Sequence, residues 1–462
     1  MKLTVILRTL IVLCLLPVSS IQARPLAIGP NGVDGADLSG DADGVLGEVH
    51  SVWLGTHGVA VWTAVGPGGV TRLMGSKFGA GGHPLDTAPV LLVDGVLAFA
   101  DSRTVSLSLS GNEILLVWQN EVQGVLARHL SPDLAWLDSA EVLRSRTGMF
   151  PGEPWLLSAA ANAQRHLIAL SRMAASGESI VLARVGSSSQ PVREVFIMDT
   201  FESATIISAA VAARPEGFLV TWASGGIDGY HRILARTIGI SGLGGGPLQS
   251  LMTPVNAGGD LSIRSNFVAA ASFGDGYAVA WSYSDFSRGT GSADFPRKWR
   301  RLDAAGAPLA AVQELFPLAV GSEAHSLVLH TVDGGALALS SETLPEGTAP
   351  VQRVIRRYLP VDGTPGAVGG FGEVQAMVPE GITIHAAAGG ALAVGEVRTS
   401  DIYSSNRSVM AAPLDAGYQW SQPSHVLSRG MPEQQACAVA CRGTDYLVVW
   451  QDGRDGHELA SE

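Results

Sequence analysis

Gly276-Tyr-Ala-Val-Ala-Trp281 decides the fold, because the chain repeats it. Gly58-Val-Ala-Val-Trp62, Ile114-Leu-Leu-Val-Trp118, Gly217-Phe-Leu-Val-Thr-Trp222 and Asp445-Tyr-Leu-Val-Val-Trp450 are copies of the same strand. Weaker copies stand at His166-Leu-Ile-Ala-Leu170, Gly335-Ala-Leu-Ala-Leu-Ser340 and Gly390-Ala-Leu-Ala-Val-Gly395, so that the eight anchors follow one another at intervals of 52 to 59 residues. Ahead of each anchor runs a second short apolar stretch with a glycine-containing turn, as in Phe267 to Gly276 and Cys437 to Gly443, which predicts a β-hairpin. Behind it comes a polar loop and a third stretch ending in arginine: Val125 to Arg128, Val181 to Arg184, Ile233 to Arg236, Trp299 to Arg301 and Val354 to Arg357. Pro308 to Glu314 suggests a fourth, outer strand.

Four short strands per unit at this period predict an all-β fold, a single β-propeller of about eight four-stranded blades, with seven as the alternative. A solenoid shares the period but needs polar caps at both ends, whereas a ring must account for both termini. The 12 residues after Trp450 and the 39 from Arg24 through Trp62 together make one repeat. The expectation is therefore a ring closed by the N-terminal segment, roughly Pro25 to Gly47, adding an outer strand to the last blade and removing an exposed sheet edge.

Residues 1–23 read as a secretory signal: Lys2 and Arg8, an apolar run from Thr9 to Val18 too short to span a bilayer, and Ile21-Gln22-Ala23 at the cleavage site. Residues 24–48 form a Gly/Asp-rich segment containing the closure strand, and residues 49–462 hold the repeats. The expected location is secreted, extracellular or periplasmic, with no membrane span. The chain has 462 residues, 46% of them hydrophobic, which excludes intrinsic disorder. Without the leader, 28 basic residues face 42 acidic ones, and only Lys77 and Lys298 remain as lysines, so nucleic acid is not an expected partner. Cys437 and Cys441 are the cysteines left; on one extended strand they would sit about 13 Å apart, beyond disulfide reach.

The run Asp445-Tyr-Leu-Val-Val-Trp-Gln-Asp452, with the charged loop behind it, resembles the repeats of poorly characterised secreted bacterial β-propeller proteins, and Arg301-Leu-Asp-Ala-Ala-Gly-Ala-Pro-Leu309 is similar to the stretch that follows in such repeats. The likeness covers nearly all of the mature chain; the third, sixth and seventh copies depart from it in lacking tryptophan. The resemblance implies a propeller fold and no common reaction.

The anchor tryptophans are expected to pack between sheets. The loops behind them carry an acid in nearly every copy: Glu121, Asp228, Asp285, Glu342, Glu396 and Asp452. If the anchor strand is second from the axis, these loops share a face with the connections between blades, and a ring of carboxylates there could bind cations or polyols or supply an acid/base pair. Turns also select acidic residues simply to satisfy backbone amides. Asp41, Asp43 and Glu48 faintly resemble a calcium loop without its twelve-residue spacing, so calcium bracing of ring closure is a side hypothesis and no other cofactor is expected. His166, His231, His330 and His385 lie in or beside apolar stretches and read as structural. His-Glu-x-x-His, Gly-x-Ser-x-Gly and the phosphate loop are all absent.

Two functions follow. The favoured one is a non-enzymatic propeller binding a protein or glycan partner. The alternative is a propeller glycoside hydrolase or polysaccharide lyase using two carboxylates of the post-tryptophan loops.

Overall fold

A computed structural model describes residues 44–65, 70–96, 104–120, 122–145, 155–172, 179–187, 190–201, 204–226, 230–240, 245–256, 267–283, 296–317, 323–344, 351–371, 377–387, 390–398, 407–420, 425–429, 434–442 and 445–452. All regular structure in them is β-strand, and no helix is long and apolar enough to cross a membrane.

The strands form antiparallel sheets in chain order. Sheet I comprises Gly44–Trp53, His57–Val65, Thr71–Gly79 and Val90–Asp94; sheet II comprises Val105–Ser110, Glu113–Asn120, Gly124–Leu130 and Glu141–Ser145. Sheet III holds Trp155–Ala161, His166–Arg172, Ser179–Ser187 and Gln190–Phe201. Sheet IV holds Ala204–Arg214, Gly217–Gly226 and Tyr230–Gly239, with two short strands, Gln249–Ser250 and Val255–Asn256, both on the third. Sheet V is Val268–Phe273, Gly276–Ser282, Arg297–Leu302 and Gln313–Phe316; sheet VI is Glu323–Val332, Gly335–Leu344, Val351–Pro360 and Gly369–Gly370. Sheet VII is Met377–Ala387, Gly390–Arg398, Arg407–Leu414 and His425–Arg429, and a terminal hairpin pairs Gln434–Arg442 with Asp445–Asp452.

This is a propeller arrangement with six four-stranded blades, against an expectation of about eight or, alternatively, seven. The difference has two sources. In sheet IV the outer strand is broken between Ser250 and Val255, so that sheet has five strands; the last repeat contributes just two among the described residues. Of the expected closing segment, roughly Pro25 to Gly47, just the last four residues are described. Gly44 to Gly47 belong to the first strand of sheet I and pair with the anchor strand of that sheet. Residues 25 to 43 lie outside the described residues. Sheet I packs face to face on sheet VII, through a buried cluster that joins Val49, Ala60 and Trp62 to Leu392, Val394, Val409 and Ala411.

The first strand of every sheet touches the first strand of the next, which makes it innermost, and the anchor strand is second. Small side chains fill the innermost strands, as in Val-Ser-Leu-Ser-Leu-Ser and Val-Ala-Ala-Ala-Ser-Phe, because strands converging on an axis leave room for little else. Trp118, Trp222 and Trp281 are buried in clusters that mix their own sheet with the preceding one, and their Nε1 atoms have no hydrogen-bond partner. They act as apolar filler between sheets.

The recurrent arginine has a definite task. Nε of Arg128, Arg236 and Arg300 each donates to a carbonyl ten residues on, at Asp138, Gly246 and Ala310, at 2.6 to 2.9 Å, and Arg357 reaches Gly366 in the same way. Two of them also reach backward: Arg300 Nη1 donates to Leu251 O, and Arg357 Nη1 to Glu314 O and Leu315 O of the sheet before. The stretch Asp303 to Pro308 is a tight turn in which Asp303 N bonds Ala307 O and Gly306 takes φ +82°. Equivalent turns place Gly82, Leu134 and Tyr418 in the same left-handed position. Pro308 sits in this turn through an isolated bridge to Leu302, and the outer strand proper begins only at Gln313.

Candidate functional site

Because the anchor strand is second, the loops behind it lie at the end of each sheet that also carries the connection to the next sheet. Of the acids expected there, Glu121, Asp228 and Asp285 lie outside the described residues, as do Asp41 and Asp43. The other three fall within strands rather than loops. Glu342 is paired with Arg353 across the ladder, Asp452 with Gln434, and Glu396 with Val409. Glu396 is 3% exposed.

Glu48 is part of the propeller's own bonding. It sits at φ +49°, where the pairing of the innermost strand with the anchor strand slips between Gly47 and His50. The bulge turns its carboxylate toward sheet II, where both oxygens accept from Thr104: the backbone N at 3.1 Å and Oγ1 at 2.8 and 3.1 Å. These are charge-assisted hydrogen bonds that tie sheet I to the start of sheet II. Serines make similar links elsewhere around the axis. Ser158 Oγ accepts from Val211 N, Ser208 Oγ from Val268 N, and Ser272 Oγ bonds Thr331 Oγ1. Ser51 Oγ bonds Thr383 Oγ1 and, at 2.7 Å, His385 Nε2 across the contact between sheets I and VII.

His385 and His330 stand on neighbouring innermost strands, Met377–Ala387 and Glu323–Val332. Burial pushes the His385 imidazole down to about 3, with the His330 charge acting in the same direction. His330 is lowered to about 4, again by burial, against a partial offset from a backbone hydrogen bond at Ile382. Both rings are neutral at pH 7.

The opposite end of the sheets, with the hairpins between first and second strands, carries a cluster that the sequence reading did not single out. His129, on the third strand of sheet II, and His166, at the start of the anchor strand in sheet III, are buried with ring centroids 5.7 Å apart. His129 Nδ1 lies 2.5 Å from Asp138 Oδ2, and His166 Nδ1 lies 2.9 Å from Ser108 Oγ. Glu113 opens the anchor strand of sheet II beside them. A sequence signal existed. Glu113 stands three residues after the end of its hairpin partner strand, where Gly217, Gly276, Gly335 and Gly390 stand in other copies. At three of those glycines an added Cβ would meet a third-strand carbonyl oxygen at 2.0 to 2.6 Å. Glu113 thus stands where four other copies keep glycine, and the last copy, with Asp445, shares an acid at that position.

No protein-family model and no curated protein sequence matches this chain. Solved structures similar to it include the GH43 endo-arabinanase from Bacillus licheniformis, at 12% identity and TM-score 0.35, covering 59% of this chain and 99% of that one. The β-propeller domain of the Trilobed protease from Pyrococcus furiosus is similar at 11% identity and TM-score 0.44, covering 83% and 98%. AofleA from Arthrobotrys oligospora is similar at 10% identity and TM-score 0.40, covering 71% and 88%. Likeness at these values carries no inference about the activity of this chain.

Proposed function

We propose that this protein is a secreted β-propeller that binds a protein or glycan partner without chemically altering it. One observation supports this reading above others: the two sequence-nominated carboxylates whose side chains the structure describes are both taken into the propeller. Glu48 caps Thr104, and Glu396 is buried in an anchor strand. Glycoside hydrolysis needs two carboxylates that reach the substrate. Among the described residues the innermost strands, Ala- and Ser-rich, contain Glu323 and Glu380 besides Glu48. The leader-like residues 1–23 and the resemblance of the Trp-Gln-Asp repeats to those of secreted bacterial propellers support an extracellular or periplasmic location.

A thermal-shift panel tests the proposal. A ligand at 100 times its dissociation constant stabilises the folded state by about 2.7 kcal/mol. The expected result is a shift with an oligosaccharide or a captured surface protein, the ligand being recovered unchanged. Recovery of a shortened saccharide or a cleaved polypeptide would overturn it.

A further inference from the structure

Two buried imidazoles from adjacent sheets, each with an unsatisfied nitrogen, share a cluster with one carboxylate. His129 Nε2 and His166 Nε2 are buried without a hydrogen-bond partner, and the two residues are 6% and 1% exposed. One donor atom from each of Glu113, His129 and His166 lies within 4.8 Å of the other two. Leaving a buried polar atom unpaired costs about 1–3 kcal/mol. Here two such atoms belong to rings whose centroids are 5.7 Å apart, and the groups behind them explain what they offer. Asp138 can only accept, so in the neutral ring of His129 the proton sits on Nδ1 and Nε2 presents a lone pair. Ser108 Oγ can accept from His166 Nδ1 and leave that ring in the same state. Two imidazole lone pairs and a carboxylate oxygen within such reach of one another form a donor set that a cation can bridge.

The geometry points to a divalent zinc-class cation held by Glu113, His129 and His166 in the seam between sheets II and III, with a fourth position going to water. Two nitrogens and one oxygen form a donor set suited to Zn2+. Tetrahedral bonds of about 2.0–2.1 Å place ligand atoms about 3.4 Å apart, so the three donors need only close inward on the ion. Asp138 behind His129 and Ser108 behind His166 supply the outer hydrogen bonds that fix ring orientation and tautomer in such sites. The cluster lies at the end of the sheets away from the post-tryptophan loops, and it stands whether or not the proposed binding function does.

The test begins with purified protein stripped by a chelator and titrated with Zn2+ against a chromophoric competitor. The expected result is one equivalent per chain and a rise in Tm that added chelator reverses. His129→Ala and His166→Ala should each weaken binding at least a hundredfold. Asp138→Asn, which leaves all three ligands in place, should weaken it about 10- to 100-fold. Absence of uptake by the wild-type protein would overturn the assignment, and so would affinity unchanged in both histidine variants. Should those variants fail to fold, wild-type protein loaded with Co2+ decides. Paramagnetic shifts on the ring protons of His129 and His166 support the site, and shifts confined to other histidines refute it.

Discussion

Arg357→Ala is the most informative change to the propeller frame. Arg357 Nε donates to Gly366 O at 2.9 Å within sheet VI, and Nη1 to Glu314 O at 3.1 Å and Leu315 O at 2.8 Å in sheet V. One side chain thus ties its own outer connection and the neighbouring sheet. The guanidinium is partly exposed, so water can replace some of what is lost. Three bonds at the ordinary net value of about 0.5–1.5 kcal/mol then amount to about 2–4 kcal/mol. Unfolding entropy of about 2.1 cal/mol/K per residue over roughly 400 folded residues converts about 3 kcal/mol into a fall in Tm of about 3–4 °C. Arg357→Lys keeps the charge but cannot span three carbonyls with one ammonium, so it should recover less than half of the loss. Calorimetry of the three proteins measures this. A Tm for Arg357→Ala within about 1 °C of wild type would refute the latch, and full recovery by lysine would show that charge alone matters.

Other substitutions probe the remaining elements. Trp222→Ala empties the seam between sheets III and IV and should cost about 3–5 kcal/mol in urea unfolding, whereas Trp222→Phe, which loses no hydrogen bond, should cost distinctly less. Gly306→Ala places a Cβ at φ +82° and 2.9 Å from Thr237 Cγ2, and its urea midpoint should fall by the equivalent of about 1–3 kcal/mol. Glu48→Ala leaves the Thr104 amide and hydroxyl without their acceptor and should destabilise by about 1–3 kcal/mol. Adding calcium should not alter that difference in chelator-treated protein. His330 and His385 are held neutral by burial, their folded pKa values of about 4 and 3 lying below the ordinary 6.5. The unfolded chain therefore binds more protons below pH 6.5; each ring's contribution is complete above that pH and is lost as pH falls toward 4, roughly tenfold in the folding equilibrium per unit. The urea midpoint should drop over that window, and His330→Gln/His385→Gln should flatten the drop.

Much of the frame was legible because a repeat states its own rules. Anchors such as Trp118 and Trp281 lie on second strands, and the arginines behind them make the same carbonyl contact in copy after copy. Blade composition was less legible. Outer strands are short and weakly patterned: the strand expected from Pro308 begins at Gln313, and in sheet IV two fragments replace one. Period alone could not tell a full blade from the last repeat, which supplies two strands among the described residues. The acids were harder still, since whether Glu396 lies on a loop or in a ladder depends on where the strand stops, and Glu48 acts through a bulge that no local pattern announces. The cluster of Glu113, His129 and His166 has no motif spacing, because pairing within sheet II and packing of sheet II on sheet III bring it together.

The central claim, binding without chemistry, is tested most directly by holding the protein with candidate extracellular polysaccharides and measuring retained ligand and new reducing ends in the same sample. Binding with no reducing-end release above a protein-free blank is the predicted result. Release by the wild-type protein above that blank would contradict it.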